Sequence, residues 1–187
     1  MDAIVIATLV ALVILIVKTY EKTLPSYPPA GARRAFCTTC IDLRFVETEF
    51  AFLDTEFGLH SYDIFAAPGP SYALSDPSLL VGFTHGVNTP IPKPPFADAF
   101  HDAWQRGLSV SQLVNTTSQV ALVDHENCGY YNFYPGYQDG DYATRKYIQF
   151  QQMSTTLNYL KTLPTQYETE YVGYWVGLNG VTERVPS

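Results

Sequence analysis

Two short clusters in this sequence carry the residue types that bind zinc. The first reads C-I-D-L-R from Cys40, and the second reads H-E-N-C-G from His125 and includes Cys128. Two thiolates and one imidazole make a three-ligand zinc set, which leaves a fourth coordination position for water or substrate. Cys40, His125 and Cys128 are therefore the candidate metal ligands. The open position is typical of catalytic zinc rather than of purely structural zinc.

Other groups in the two clusters could assist a metal-bound water. Asp42 and Arg44 follow the first ligand by two and four residues, where a carboxylate held by a guanidinium could orient the water. The backbone N–H of Gly129, next to the last ligand, could stabilise developing negative charge. A structural ion pair at the end of a strand is the alternative interpretation of Asp42 and Arg44.

Cys37 tests the ligand set, because Cys37-Thr-Thr-Cys40 is a C-x-x-C motif. Together with His125 and Cys128 it could complete a closed structural site with three cysteines and one histidine. However, Cys37 and Cys40 are separated by about 10 Å along a strand and point to opposite faces. We therefore expect Cys37 to be an ordinary core thiol, with a role as ligand as the alternative.

The hydrophobic pattern predicts strands that alternate with helices, and both clusters follow predicted strands. Such alternation indicates an α/β fold with a parallel sheet core flanked by helices, whose functional sites form at the carboxyl ends of the strands. The stretch Ser75–Pro95 is rich in Pro and Gly and is predicted to be a long irregular loop. The predicted strands are Arg33–Cys40, Tyr62–Ala67, Gln119–Val123 and Glu170–Leu178, and the predicted helices are Val46–Phe57, Phe96–Val114 and Asp141–Leu163.

The first 22 residues predict an N-terminal membrane helix. Ala3 to Val17 is an apolar run without Gly or Pro, followed by Lys18 and Lys22. As a helix the run spans about 22 Å, which flanking residues could extend toward the thickness of a bilayer core. We expect residues 1–22 to be a single-pass transmembrane anchor. A signal peptide and a helix buried in protein are the alternatives.

The segment after the anchor predicts a spacer, and its charges predict the side of the membrane on which the domain lies. Residues 23–32 read TLPSYPPAGA, a Pro-rich linker that cannot continue the helix, and residues 33–187 form the predicted zinc-binding domain. Arg33 and Arg34 add to the positive charge on the carboxyl side of the anchor. The positive-inside rule therefore predicts that the domain lies on the cytoplasm-like, reducing side of the membrane. It does not indicate which membrane or organelle this is.

The composition excludes one class of function and supports reduced thiols. The net charge of −7 and the pI near 4.9 argue against nucleic acid as a partner, since the chain offers no basic stripe for phosphates. Its 187 residues fit one ordinary domain, and an odd number of cysteines, three, favours metal binding over a disulfide framework. The 14 Tyr and 11 Phe predict core or interface packing.

The two clusters together resemble those of the β-class carbonic anhydrases. The motifs C-x-D-x-R and H-x-x-C-G, each closing a strand, carry the resemblance, and the phrases CIDLRF and ALVDHENCGYY are similar to a divergent branch of that family. The terminal VGYWVGLNGVTERV resembles the family's last strand and glycine turn. The resemblance covers residues 33–185 but not the anchor.

This resemblance implies a zinc lyase that reversibly hydrates CO2. Cys40, His125 and Cys128 would bind Zn²⁺, and the dyad of Asp42 and Arg44 would orient zinc-bound hydroxide for attack on CO2. In some family members the equivalent Asp binds zinc as a fourth ligand and closes the site. CO2 and bicarbonate are the implied small-molecule partners, and a homodimer or a larger membrane complex is the implied assembly.

The sequence also departs from the family in two places. Pro68-Gly69-Pro70 replaces the usual asparagine-containing turn beside the substrate, and residues 71–117 include the stretch THGVNTPIPKPP. The predicted anchor is a further departure. The alternative function is therefore a catalytically inactive, carbonic-anhydrase-like structural subunit of a membrane or particle assembly.

Overall fold

A computed structural model of the chain describes residues 34–58, 61–75, 81–84, 87–90 and 97–185. These residues belong to a compact unit that spans Ala32–Ser187. The predicted anchor, residues 1–22, and the linker, residues 23–32, lie outside the described residues. Among the helices that the structure describes, none combines the length and the apolar character that crossing a bilayer requires.

A five-stranded sheet with the order β2-β1-β5-β6-β7 forms the centre of the domain. The first four strands in this order run parallel, and only the edge strand β7 is antiparallel to its neighbour. This agrees with the predicted parallel core. The strands of this sheet are β1 (Ala35–Thr39), β2 (Tyr62–Ala66), β5 (Gln119–His125), β6 (Glu170–Val176) and β7 (Thr182–Val185).

Within the described residues, four α-helices accompany the sheet and a 3₁₀ helix follows β5. The helix predicted at Val46–Phe57 has those bounds, and it ends at Gly58, whose φ of 85° suits a residue without a side chain. The last long helix begins after Asp141, whose side chain accepts a hydrogen bond from the Thr144 N–H. The helices are α1 (Val46–Phe57), α2 (Pro70–Ala73), α3 (Ala97–Asn115), α4 (Tyr142–Leu160) and the 3₁₀ helix (Gly129–Phe133).

The prediction of an irregular loop over Ser75–Pro95 is wrong in part. Residues Val81–Thr84 (β3) and Val87–Pro90 (β4) pair as a separate antiparallel hairpin. Proline is compatible with pairing at the end of a short, two-stranded ribbon. Each strand of such a ribbon is an edge strand, and its outward-facing positions need no N–H to donate to a neighbouring strand. The Pro content therefore indicated a loop where the backbone forms a ribbon.

Alternating residues of the sheet face two different cores. Val120 and Leu122 pack with side chains of α3 and α4, whereas Ala121 and Val123 pack on the opposite face with Leu53 of α1. This alternation is the period of two that a strand imposes, and burial on both faces is typical of a parallel sheet. Because β1 and β5 are parallel neighbours, their carboxyl ends meet at one edge of the sheet. The predicted metal ligands lie at this edge.

Candidate metal centre

The structure brings the three predicted ligands together at the carboxyl ends of β1 and β5. Cys40 directly follows β1, His125 is the last residue of β5, and Cys128 immediately precedes the 3₁₀ helix. Between them Asn127 has a φ of 55°, a left-handed conformation that asparagine tolerates and that turns the chain back. The ligand atoms of the three residues all lie within 4.8 Å of one another, and all three side chains are buried.

The imidazole of His125 is oriented to bind a metal through Nε2. Its Nδ1 lies 2.8 Å from the Glu126 carbonyl oxygen, so Nδ1 carries the proton and donates it. Its ring stacks on Phe45, with 4.0 Å between the centroids. The Nε2 atom is buried without a hydrogen-bond partner. A buried lone pair facing two thiols is a good fit to a cation, and a protein-bound zinc ligand commonly has its other nitrogen fixed in this way.

The two thiols are in hydrogen-bond contact with each other. Cys40 Sγ and Cys128 Sγ are 3.7 Å apart. The hydrogen bond from Cys128, assisted by the His125 ring, lowers the pKa of Cys40 to about 4, and the same contact with Cys40, with burial, raises the pKa of Cys128. Burial opposes protonation of His125, yet the nearby charge of Cys40 raises the pKa of the imidazole. A metal bound by both sulfurs would require both cysteines as thiolates, so its binding would release protons.

Asp42 and Arg44 form a bidentate pair at the exposed edge of this group. Arg44 Nε donates to Asp42 Oδ1 at 2.9 Å, and Arg44 Nη2 donates to Oδ2 at 2.5 Å. The same Nη2 reaches the carbonyl oxygen of Asn127 at 3.3 Å, so the guanidinium joins the two clusters. Asp42 Oδ2 is 3.8 Å from His125 Nε2. The hydrogen bonds from Arg44 lower the pKa of Asp42 to about 2, which keeps this carboxylate ionised.

Gly129 is the first residue of the 3₁₀ helix. No carbonyl group of that helix precedes it, so its N–H has no acceptor within the helix. A Cβ at this position would meet no atom within 4 Å, so space does not require a glycine there. The suggestion that its N–H stabilises negative charge stays a prediction.

Cys37 lies outside the group of metal-ligating side chains. Its thiol is fully buried in the core beside α1, with Leu53 and Val123 among its cluster. Burial, with the charge of Asp63, raises its pKa, which keeps the thiol protonated. The potential metal-binding group found among the described residues contains Cys40, His125 and Cys128 and not Cys37.

The resemblance placed the turn that contains Gly69 beside the substrate, but the sequence did not predict that Gly69 contacts the ligands. Its N–H donates to Cys40 Sγ at 3.5 Å, and its φ is 52°. A Cβ on Gly69 would lie 3.3 Å from Cys128 Sγ and 3.2 Å from Tyr130 Cβ. The turn Pro68-Gly69-Pro70 therefore packs directly on both thiols. A glycine between two prolines indicates a turn, but it does not indicate which atoms the turn contacts.

Two buried carboxyl groups near the ligands were also missed. Glu49 in α1 is 1% exposed, and one of its carboxyl oxygens, Oε1, has no partner. Burial and the charge of Cys40 raise its pKa to about 9, although a hydrogen bond from the Cys40 backbone opposes this. Asp124 in β5 is fully buried, and burial raises its pKa to about 6. An available signal was the position of Glu49 between the core residues Phe45 and Leu53 at helical spacing.

Aromatic residues enclose the buried side of the site, as the composition predicted. The rings of Tyr72 and Tyr131 are 5.5 Å apart, and those of Tyr131 and Tyr137 are 5.3 Å apart. These tyrosines belong to the same buried cluster as Cys40 and Cys128. They exclude water behind the ligands, whereas Asp42 and Arg44 border the solvent.

Comparison with solved structures supports a known fold. Over 98% of this chain and 95% of theirs, it is similar to two tetrameric β-carbonic anhydrases from the filamentous ascomycete Sordaria macrospora, with 10% identity and a TM-score of 0.55. The chain has a β-carbonic-anhydrase-like fold. A β-carbonic anhydrase isoform I from the protozoan Trichomonas vaginalis also matches, over 99% of this chain and 98% of that one, with 13% identity and a TM-score of 0.49.

Comparison of the sequence alone finds no such relationship. No protein-family model matches the chain, and no curated protein matches it. At this level of identity the likeness concerns the fold, and the chemistry has to be argued from the residues of the site.

Proposed function

We propose that this chain is a zinc-dependent, carbonic-anhydrase-like protein that reversibly hydrates CO2. The observation that carries the proposal is the position of Asp42. Its carboxylate borders the ligand group, with Oδ2 3.8 Å from His125 Nε2, and is held there by two nitrogens of Arg44. A metal site that served only as a scaffold has no need of an oriented carboxylate at its solvent edge.

Each side chain of the site has a distinct task in this proposal. Cys40, His125 and Cys128 would hold zinc, which when bound would supply the Lewis acidity that makes water a nucleophile toward carbon dioxide. Asp42 is ionised and accepts the hydrogen bond of that nucleophile. Arg44 fixes the orientation of Asp42 through paired hydrogen bonds, the geometry that guanidinium and carboxylate groups favour. One carbon–oxygen bond would form between water and CO2, one O–H bond of the water would break, and bicarbonate and a proton would leave.

Stopped-flow CO2 hydration by the zinc-loaded, full-length chain tests this proposal. We expect a rate above buffer that falls by about 10- to 100-fold in Asp42→Asn, the cost typical of a lost orienting partner around a metal site. The matched control is Asp102→Asn, because Asp102 forms an Asp–Arg pair with Arg106 within α3, at 3.7 Å. A wild-type chain that binds zinc but gives no rate above buffer would support the structural-subunit alternative instead.

We also propose that residues 1–22 tether the protein to a membrane as a single-pass anchor, with the domain on the reducing side. The apolar run of the sequence supports the tether, and the positive residues that follow it support the orientation. The free thiols of the described domain suit a reducing compartment. Protease added to sealed vesicles whose outer face is the cytoplasm-like side would test the orientation. Digestion of residues 33–187 would support it, and protection of them would contradict it.

A homo-oligomer is the proposed assembly. The solved Sordaria macrospora enzymes of similar fold are tetrameric. In this chain Ile41 and Leu43, which flank Asp42, are 55% and 86% exposed, although both are large apolar side chains. Covering them against a second copy would remove apolar surface from water. Light scattering of the purified chain measures the assembly, and a monomer would contradict it.

A further inference from the structure

A second polar cluster lies directly behind the metal ligands. Its centre is Asp124, the fully buried residue before His125 in β5. Asp124 Oδ2 accepts hydrogen bonds from the hydroxyl of Ser71 and from the Tyr131 hydroxyl, the latter at 2.7 Å. Its Oδ1 faces the Ser71 N–H at 3.4 Å, and the two hydroxyls are 2.5 Å apart. One carboxylate thus joins three segments of the chain.

The Ser71 branch of this cluster leads to the Cys40 sulfur. Ser71 belongs to α2, and a single residue, Pro70, separates it from Gly69. The Gly69 N–H donates to Cys40 Sγ at 3.5 Å. Proline has a fixed φ, so the path from Ser71 to Gly69 has little freedom. Fixing Ser71 on Asp124 therefore fixes the N–H that contacts the thiolate.

The Tyr131 branch leads to the other sulfur. Tyr131 lies in the 3₁₀ helix that begins directly after Cys128. Its backbone N–H donates to the Cys128 carbonyl oxygen at 3.2 Å, and its hydroxyl is anchored on Asp124. Both ends of Tyr131 are therefore held, one by the ligand residue itself and the other by the carboxylate next to the histidine ligand.

We propose that Asp124 is a positioning residue of the metal centre, an inference that rests on the proposed zinc site. Through Ser71 and Tyr131 it fixes the Gly69 N–H on Cys40 and the backbone that carries Cys128, and so it sets the donor strength and spacing of the two thiolates. A hydrogen bond to a ligand sulfur withdraws electron density from it, and such outer partners tune bound metals. Burying a carboxylate costs stability even when hydroxyl groups donate to it. Because Asp124 is kept in the core at this cost, a role in positioning the ligands is favoured over a role in stability.

Cobalt binding to the full-length chain tests this role without any measurement of catalysis. Co²⁺ added alone to the metal-free protein reports the sulfur ligands through thiolate-to-metal charge-transfer absorption. We expect Asp124→Asn and Ser71→Ala to shift this absorption and to weaken Co²⁺ binding by about 10- to 100-fold. Tyr131→Phe, which removes only a hydroxyl, should shift it in the same way. If circular dichroism shows that Asp124→Asn is unfolded, the cobalt spectra and affinities of Ser71→Ala and Tyr131→Phe decide whether the inference holds.

The chain offers a matched control pair for the same chemistry. Ser111 Oγ donates to Asp63 Oδ2 at 2.6 Å, between α3 and β2. Ser111→Ala and Asp63→Asn should lower the free energy of unfolding but leave the cobalt spectrum and affinity unchanged. The inference is overturned if Co²⁺ binding of the folded Asp124, Ser71 and Tyr131 variants stays within about twofold of the wild type, with an unchanged spectrum.

The same measurement separates this inference from the proposed function. A wild-type chain that binds Co²⁺ with thiolate charge transfer but fails to hydrate CO2 when loaded with zinc contradicts the proposed function, and the variants still decide the role of Asp124. A wild-type chain that binds no Co²⁺ overturns the inference.

Discussion

Asp42 Oδ2 lies 3.8 Å from His125 Nε2, yet the carboxylate is engaged by Arg44 and not by the ligand group. The backbone N–H of Arg44 also donates to Asp42 Oδ1, at 3.1 Å, so three donors on one residue hold the carboxylate. In the proposed zinc site, Asp42 would therefore stay with Arg44 and leave the fourth coordination position to water.

Replacing the guanidinium should therefore impair the proposed reaction without removing the metal. Arg44→Lys keeps the charge but loses the planar pair of donors. We expect zinc content to stay unchanged and CO2 hydration to fall by about 10- to 100-fold, the cost typical of a lost partner around a metal site. Metal analysis and stopped-flow assays measure the two quantities. Arg106→Lys in the exposed pair with Asp102 is the control, and an equal loss there would contradict the assignment.

Metal content should identify the ligand set. Cys40→Ser and His125→Ala each remove one of three ligands, and we expect both to lose zinc, because two ligands bind it too weakly to retain it through dialysis. Cys37→Ser should retain about one equivalent per chain, as expected of a thiol buried in the core beside α1. Mass spectrometry of the dialysed proteins measures this. Loss of zinc from Cys37→Ser would instead support the alternative, a closed structural site with Cys37 as the fourth ligand.

Gly69 and Gly129 should differ sharply in their tolerance of a side chain. A Cβ on Gly69 would press on Cys128 Sγ and Tyr130 Cβ, at a φ of 52° that disfavours alanine. We expect Gly69→Ala to lower the free energy of unfolding by about 1–3 kcal/mol. Gly129→Ala meets nothing within 4 Å and is expected to cost less than about 0.5 kcal/mol. Urea denaturation measures both, and similar costs would contradict the predicted packing of the turn.

The buried carboxyl of Glu49 predicts a pH dependence of stability. Its pKa is raised from 4.5 to about 9, so the folded chain binds more protons than the unfolded chain between these values. Stability that depends on Glu49 is therefore lost as the pH rises through this window. The free energy of unfolding of wild type relative to Glu49→Gln should fall by up to about 1.4 kcal/mol per pH unit.

Urea denaturation of the metal-free protein, in the presence of a chelator, at intervals from pH 5 to about 9 measures this difference. Other titrating groups affect both proteins, so the comparison isolates Glu49. A difference that is constant over the whole range, or that grows with pH in favour of wild type, would show that Glu49 is ionised in the folded chain.

The sequence predicted those parts of the fold that depend on local pattern. Helix α1 begins at Val46 and ends before Gly58, because apolar spacing and a glycine stop are signals within one segment. The parallel core was likewise predictable from the alternation of strands and helices. The hairpin of β3 and β4 was not, since Pro and Gly there suggested a loop and backbone pairing is decided between segments.

The candidate site likewise has a part that the sequence predicted and a part that depends on contacts between distant segments. The three ligand residues, Asp42 and Arg44 carry spacing signals within the two clusters, and the structure brings them together. The contacts of Gly69 with Cys40 and of Ser71 with Asp124 join residues that are distant in the chain. Hydroxyl and backbone donors have no characteristic spacing, so only the folded arrangement reveals them.

The adjacency of β1 and β5 has a consequence for biogenesis. During synthesis on the ribosome, Cys37 and Cys40 emerge long before the strand that carries His125, so the nascent chain presents a bare C-x-x-C pair. In the folded chain β5 lies between β1 and β6, and this placement brings His125 and Cys128 beside Cys40, while Cys37 lies in the core. A metal site built from these residues therefore depends on the long-range pairing of β1 with β5, and a variant that weakens this pairing should also weaken metal binding.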